Sequence, residues 1–514
     1  MNINLVSVFS RCAVFELQNT NCYYAPQPFE VWLDDVHQGS FATNVFSLYN
    51  LKPDQVYQLV VQLGQERHSL TFCTRPERVL LDVRQFGADC SQEDATAYLQ
   101  AAIEACPKGG TVYLPKGIWR TGPLFLHSDM TLYLEKGAVL LGHTDRKRYP
   151  ILPGMVNEGE QEYDLGTWEG NPLDCYASLI TAIHARNLVI CGEGVLDGNA
   201  AASDWWEDAK VRRGAWRPRT LFLKRCEQVS VVGVTIQNSP SWTVHPHYCI
   251  GLDLLDIRVQ NPDDSPNTDG IDPESCRQVR ILGAVVSVGD DCISIKSGKY
   301  YMGQYHPFTS RDVLVQNCLL ERGHGAVVIG SETSAGVSGV QIRQCLMRNT
   351  DRGLRVKTRR GRGNRSIVEG VVYDNVEMEH VLAPFVINMF YFCDPDGRTR
   401  YVSSKEALPV DAMTPQVKSL TVRNIRCTGA HQVAAFFYGL PEQPIGRIEM
   451  ERVYIQFAPH PTPGLPAMME DIEPMAGQGI VAVNVKQLIL REVKMEGLHA
   501  EPFQLQGVEQ LVKE

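Results

Sequence analysis

Asp269, Asp290 and Asp291, with His324 and the cations Arg355 and Lys357, are the residues of this 514-residue chain whose types and spacing could do chemistry together. They fall in four segments that align as successive strands: Asp269-Gly-Ile-Asp-Pro-Glu-Ser275, Asp291-Cys-Ile-Ser-Ile-Lys-Ser297, Gly325-Ala-Val-Val-Ile-Gly330 and Gly353-Leu-Arg-Val-Lys-Thr358. The alignment makes Asp269, Asp291, Gly325 and Gly353 equivalent, with Asp290 and His324 one residue earlier and Arg355 and Lys357 two and four residues after Gly353. Strands stacked about 4.8 Å apart would make these residues neighbours on one ladder. Three carboxylates, an imidazole and two cations then share a patch. Crowded carboxylates push their pKa values apart, which is what acid/base catalysis needs. An Asp-Asp pair alone is ordinary turn chemistry; Asp269 on the adjoining coil shifts the reading toward catalysis.

What must position these groups is a stack of short strands. From about residue 110 the chain is a succession of β-prone runs punctuated by Asn, Gly or Asp, such as Val229-Ser-Val-Val-Gly-Val-Thr-Ile-Gln-Asn238 and Val313-Leu-Val-Gln-Asn-Cys318. Anchors recur at irregular spacings in the twenties to thirties. Such a period means stacked coils, each too small to bury its own apolar face. The pattern predicts an all-β chain built on a right-handed parallel β-helix. Residues 144–218, rich in Trp, Asp and Arg, interrupt the repeat and read as loops on one face, where solenoid insertions often meet a ligand. One helix is expected before the coils, with Ser91 as N-cap, Leu99, Ala102 and Ile103 on one face and Pro107 as its stop. It would cover an open end of the stack. Residues 1–76 alternate without helical periodicity and predict a small β-sandwich, which leaves 77–514 to the solenoid.

Asn267-Thr-Asp269, Gly289-Asp-Asp291, Gly323-His-Gly325 and Arg355-Val-Lys357 resemble, in order, the four signature segments of polygalacturonases, glycoside hydrolase family 28. Val356 stands where the family usually has Ile or Leu. The resemblance covers roughly residues 80–500, and Leu51-Lys-Pro53 with Tyr57 resembles the tyrosine corner of fibronectin type III domains. The likeness implies hydrolysis of a glycosidic bond with inversion. Asp290 would be the general acid, Asp269 and Asp291 would hold and deprotonate the attacking water, and His324 would tune carboxylate protonation beside Asp290. Asn267 would orient Asp269 or a sugar hydroxyl. Arg355 and Lys357 would grip a galacturonate carboxylate, one as a planar fork and the other as a point charge. Inverting enzymes separate acid from base by about 6.5 to 9.5 Å, a gap that groups on different coils could provide.

A net charge of −10 argues against a nucleic-acid partner, and no apolar run approaches the ~20 residues of a membrane span. Seven cations nevertheless fall between Arg352 and Arg365. A charge run is ordinarily a solvated face. Beside this ladder, Arg359, Arg360 and Arg362 read instead as a funnel for a polyanionic sugar chain. Trp205-Trp206, Tyr300-Tyr-Met-Gly-Gln-Tyr-His306 and Phe390-Tyr-Phe392 are candidates for sugar stacking or pocket walls, core packing being an equal account of Phe390 and Phe392.

The expected substrate is therefore a galacturonate-containing oligosaccharide or pectin, cut at α-1,4 bonds. The N-terminal module and the insertions resemble bacterial exo-acting members. Three alternatives stand beside it: a hydrolase of rhamnogalacturonan or xylogalacturonan, a pectate lyase-type eliminase using Ca²⁺, and a non-catalytic carbohydrate-binding β-helix. No cofactor is expected. The cysteines form no CxxC pair, and His245-Pro-His247 reads as groove wall or coil packing rather than a metal site. Fifteen cysteines without an export signal lead to the expectation of a cytoplasmic protein, a secreted chain with its leader removed being the alternative.

Overall fold

The computed structural model describes residues 2–159 and 161–514. Asn2–Val8, Ala13–Gln18 and Val45–Leu48 form one antiparallel sheet; Val36–Thr43, Tyr24–Leu33, Val56–Leu63 and Glu66–Cys73 form a second. Alternation along these strands turns Phe15, Phe29, Phe46 and Phe72 into the space between the sheets, where successive ring centroids lie 5.3 or 5.4 Å apart. The Tyr57 hydroxyl accepts the Lys52 backbone N–H at 2.8 Å and pins the corner at Leu51-Lys-Pro53.

Beyond this sandwich Leu80–Asp82 pairs in parallel with Gly110–Leu114 and opens a long stack of parallel coils. Val229, Leu252, Val279, Val313, Val340 and Val371 are direct partners on consecutive coils, all buried. Cys226, Cys249 and Cys276 stack beside that column as small apolar fillers. Each coil thus covers its neighbour's apolar face, and truncating an inward residue such as Ile293 to Ala would cost about 2–5 kcal/mol.

The helix at the N-terminal end runs Thr96–Glu104, later than the sequence suggests. Ser91 belongs to a preceding turn, its N–H held by Asp89 at 2.7 Å, and the Asp94 carboxylate takes the Thr96 N–H at 2.9 Å. Ala95 is the N-cap, and Leu99, Ala102 and Ile103 enter the solenoid core as expected.

The sandwich leans on the outside of the coils. Phe9, Cys12, Val14 and Val45 pack with Val232, Leu255 and Leu282, while Asn44 donates to the Asn317 side chain at 2.9 Å. Gly283 (φ +69°) lets Val45 approach so closely that a Cβ would stand 2.6 Å from it. These contacts lie on a different face of the coils from the strand Asp291–Ile295, so the sandwich braces the solenoid without touching the aspartates.

Candidate active site

Register builds the site. Ile271 pairs with Ile293, Ile293 with Val327 and Val327 with Leu354, a buried column that fixes what the flanking positions face. Gly270 donates its N–H to the Asp291 carbonyl at 2.9 Å, which sets Asp269 beside Asp291, and Asp291 is opposite Gly325. The last strand departs from the sequence alignment by one residue: Arg352, not Gly353, falls opposite Gly325. A one-residue slip exchanges the two faces of a strand. Pairing Val327 with Leu354 keeps apolar side chains inward and places Arg355 opposite Val328 and Ser294, where Arg355 and Lys357 reach the aspartates.

The three carboxylates have unlike surroundings. Asp291 is fully buried, 2.6 Å from the Lys357 ammonium and 3.3 Å from Arg355. Burial alone would raise its pKa, but Lys357, Arg355 and Lys296 outweigh it and hold the carboxyl well below the usual range. Asp269 moves the other way, up to about 7, because burial and the charges of Asp290 and Asp291 exceed the relief from Lys296. Asp290 is the most open of the three, its side chain 23% exposed and 3.5 Å from His324 Nδ1. The hydrogen bond to Asp290 raises the His324 pKa despite partial burial, favouring an imidazolium there.

The nearest oxygens of the three carboxylates lie within 4.8 Å of one another. Two of the three come from adjacent coils at strand spacing and the third adjoins one of them in sequence.

Asn267 lines the same cavity, its side-chain oxygen fixed by Arg217 at 2.7 Å. Several further residues there went unread in the sequence, among them Trp242, Lys296 and Glu332. Lys296 is the one with a visible signal. A lysine two residues beyond Ser294, in the otherwise apolar Ile293-Ser-Ile-Lys296, must face outward into the ladder.

The arginine funnel is not present. Arg359, Arg360 and Arg362 are buried and spent on internal carboxylates. Arg359 grips Asp394 and Asp396, Arg362 grips Asp394 at 2.7 Å, and Arg360 pairs in two places with Glu442 at 2.6 and 2.9 Å. A buried guanidinium needs such a partner, and each found one through chain reversal that the local sequence does not display. Arg359 and Arg362 act at one remove, holding Asp394 at the cavity wall. Of the aromatic candidates, Tyr391 lines the cavity, whereas Phe390 lies in the core and Trp205 is buried beneath Arg146.

Among the described residues two clusters have ligand atoms close enough for a metal ion: the three aspartates, and His245, His247 and Glu274. Both already contain cations. Lys357 and Arg355 sit on Asp291, and the Lys224 ammonium lies 3.0 Å from His247 Nδ1 while also pairing with Asp164.

Residues 150–462, more than half of the chain, match the family model described as glycosyl hydrolases family 28. An endo-polygalacturonase of Pectobacterium carotovorum subsp. carotovorum is 31% identical over 310 residues, 58% of this chain and 72% of that protein. The solved family 28 exopolygalacturonase of Yersinia enterocolitica aligns over 100% of this chain and 98% of its own, with TM-score 0.72 and 20% identity, a likeness of fold. A hyperthermoactive exopolygalacturonase from Thermotoga maritima reaches TM-score 0.62 at 29% identity, over 74% of this chain and 88% of that one. Parallel coils, an acidic ladder in four ordered segments and the match to the family model agree: the chain is a glycoside hydrolase that belongs to glycosyl hydrolases family 28.

Proposed function

We propose that the enzyme hydrolyses α-1,4-galacturonosidic bonds of oligogalacturonides from a chain end, with inversion. The observation that carries this reading is the walled cavity over the aspartates. Its volume is about 250 Å³, below the roughly 300–1,000 Å³ of sites that enclose drug-sized ligands, so it admits a short stretch of sugar chain. Glu169 and Lys210 of the long insertion form one wall; Tyr391, Cys393 and Met468 form another. The insertion is seated tightly: Lys299 N–H donates to the Gly170 carbonyl at 3.0 Å, and Gly170 (φ +77°) has no room for a Cβ, which would lie 2.7 Å from Glu332 Cγ. That seam seats the insertion against Glu332, which lines the cavity.

In the proposed reaction Asp290, open and next to His324, protonates the leaving glycosidic oxygen. A water over Asp269 and Asp291 attacks the anomeric carbon and gives its proton to Asp269. Asp291, locked as an anion by Lys357 and Arg355, orients the water and faces the positive charge that develops on the sugar. Arg355 spends one donor on Asp291; the rest of its fork is available to a substrate carboxylate.

Time-resolved product analysis on galacturonate oligomers of defined length tests the reading. Monomer or dimer from the first minutes, born as the β-anomer by proton NMR, is the expected result. A spread of intermediate lengths would overturn end-cutting, the α-anomer would overturn inversion, and an ultraviolet-absorbing unsaturated end would replace hydrolysis with elimination.

Lys210 supplies a second test. It reaches the cavity from the insertion and has no acidic partner among the described residues, whereas Lys296, Arg355 and Lys357 are each paired. Lys210→Ala should raise KM for trigalacturonate by about 5- to 50-fold, the loss of one charge-assisted hydrogen bond, with kcat little changed. An unchanged KM would remove Lys210 from substrate binding.

A further inference from the structure

Lys296 is the one buried cation of the site that the mechanism above does not use. Its Nζ stands 3.4 Å from Asp269, 3.4 Å from Asp272 and 3.3 Å from Glu332, and 4.2 Å from the centre of the Trp242 ring. Its strand position pairs with Glu274 on the preceding coil. One ammonium thus ties together three coils: that of Asp269 and Asp272, its own, and the loop after Gly325–Ile329 that carries Glu332.

We propose that Lys296 is a positioning residue that keeps Asp269 ionised as the base while the one proton of the buried Asp269–Asp272 pair stays on Asp272.

Counting charge leads there. Two buried carboxyls, Asp269 and Asp272, share one ion-pair cation among the described residues, Lys296, whereas Asp291 has Arg355 and Lys357 to itself and Glu332 is also faced by Lys299 and Arg362. An uncompensated buried charge is expensive, so one carboxyl must carry a proton. Asp291 is not the carrier, being clamped by two cations. Nor is Glu332, which Lys296, Lys299 and Arg362 hold down at about 2 against the effect of burial. The proton therefore belongs to Asp269 or Asp272. Asp272 has both oxygens buried without a hydrogen-bond partner among the described residues, and Lys296 is its only ion-pair contact. Burial, then the neighbouring Asp269, drives its pKa well above the carboxylate range.

Asp269 is faced by the carboxyls of Asp290 and Asp291 and by the cations Lys296 and Lys357. On the far side of Lys296, Glu274 is hydrogen-bonded to His245 at 2.9 Å; burial and the surrounding cations Arg219, Lys296 and Lys224 depress the His245 pKa far below its usual range. Lys296 is thus the cation paired with both candidates, and removing it leaves Asp269 beside the Asp291 anion with only Lys357 in support.

The proposal rests on the hydrolase reading. Wild-type enzyme releasing no product from trigalacturonate would remove that reading first; an active wild type allows the comparison that tests this one. Profiles of kcat/KM against pH, measured by reducing-end release from trigalacturonate, should show the acid limb of Lys296→Met displaced upward by about one unit or more. Its rate would be at least about tenfold below wild type on that limb and would converge with it at alkaline pH. Lys296→Arg should restore the limb toward wild type. Asp272→Asn, which mimics a protonated Asp272, should leave the limb in place. A uniform loss across pH in Lys296→Met would reduce Lys296 to a packing role. If that variant does not fold, Asp272→Asn decides: a limb lowered by about a unit or more would mean that Asp272 is ionised, and the proposal fails.

Discussion

Asp290→Asn should lose about 10²–10⁴ of kcat while still holding trigalacturonate with an affinity near that of the parent. The amide keeps the shape of the carboxyl and its contact with the Asp291 backbone N–H, seen at 2.9 Å, but it has no proton to deliver to the leaving oxygen. The cations that would grip substrate, Arg355 and Lys357, are anchored on Asp291 and do not depend on Asp290. Binding and turnover should therefore separate, kcat in a pre-steady-state or steady-state assay and affinity by calorimetry. A second signature distinguishes this from general disruption. The His324 pKa is raised by its hydrogen bond with Asp290, so in the variant it should fall back toward the ordinary imidazole range, visible by NMR titration. Turnover within tenfold of wild type would exclude Asp290 as the acid.

The residues that could be read in advance are those whose position follows from coil register. Apolar columns such as Val229, Leu252 and Val279 announce the repeat, and once the repeat is granted Asp269 and Asp291 must meet on adjacent coils. Where register is fixed by a packing choice, reading fails by a residue: Gly353 looks like the partner of Gly325, yet burying Leu354 against Val327 shifts the strand and sends Arg355 outward. Partners that approach through loop reversals leave no local trace. Arg359 and Arg362 meet Asp394 more than thirty residues later, and Arg360 meets Glu442 at a separation of 82. A run of charge in the sequence states a sum, whereas whether it faces solvent depends on carboxylates elsewhere in the chain. The same holds for Trp242, which flanks Lys296 only because the coils stack.

Arg360 makes that distinction measurable. Its guanidinium is fully buried and meets Glu442 bidentately, donates to the carbonyls of Tyr401, Ser404 and Glu406, and lies 5.4 Å from the Phe390 ring. Arg360→Met keeps much of the aliphatic stem but strands Glu442, itself 3% exposed, as a buried anion facing unpaired carbonyls. Breaking one side of a buried pair costs about 3–5 kcal/mol, among the largest effects a single substitution produces. Lys405 is the nearer cation over Phe390, at 4.1 Å, but makes no ion pair with Glu442 among the described residues. The expected result is a fall in the denaturation midpoint with KM and kcat of the folded fraction near wild type, since neither Arg360 nor Glu442 lines the cavity. A polyanion funnel would give the opposite pattern, unchanged stability and a raised KM that salt abolishes. Replacing Arg360 and Glu442 together by Met and Gln should recover much of the lost stability, because the stranded charge, more than the missing bond, accounts for the cost of the single change.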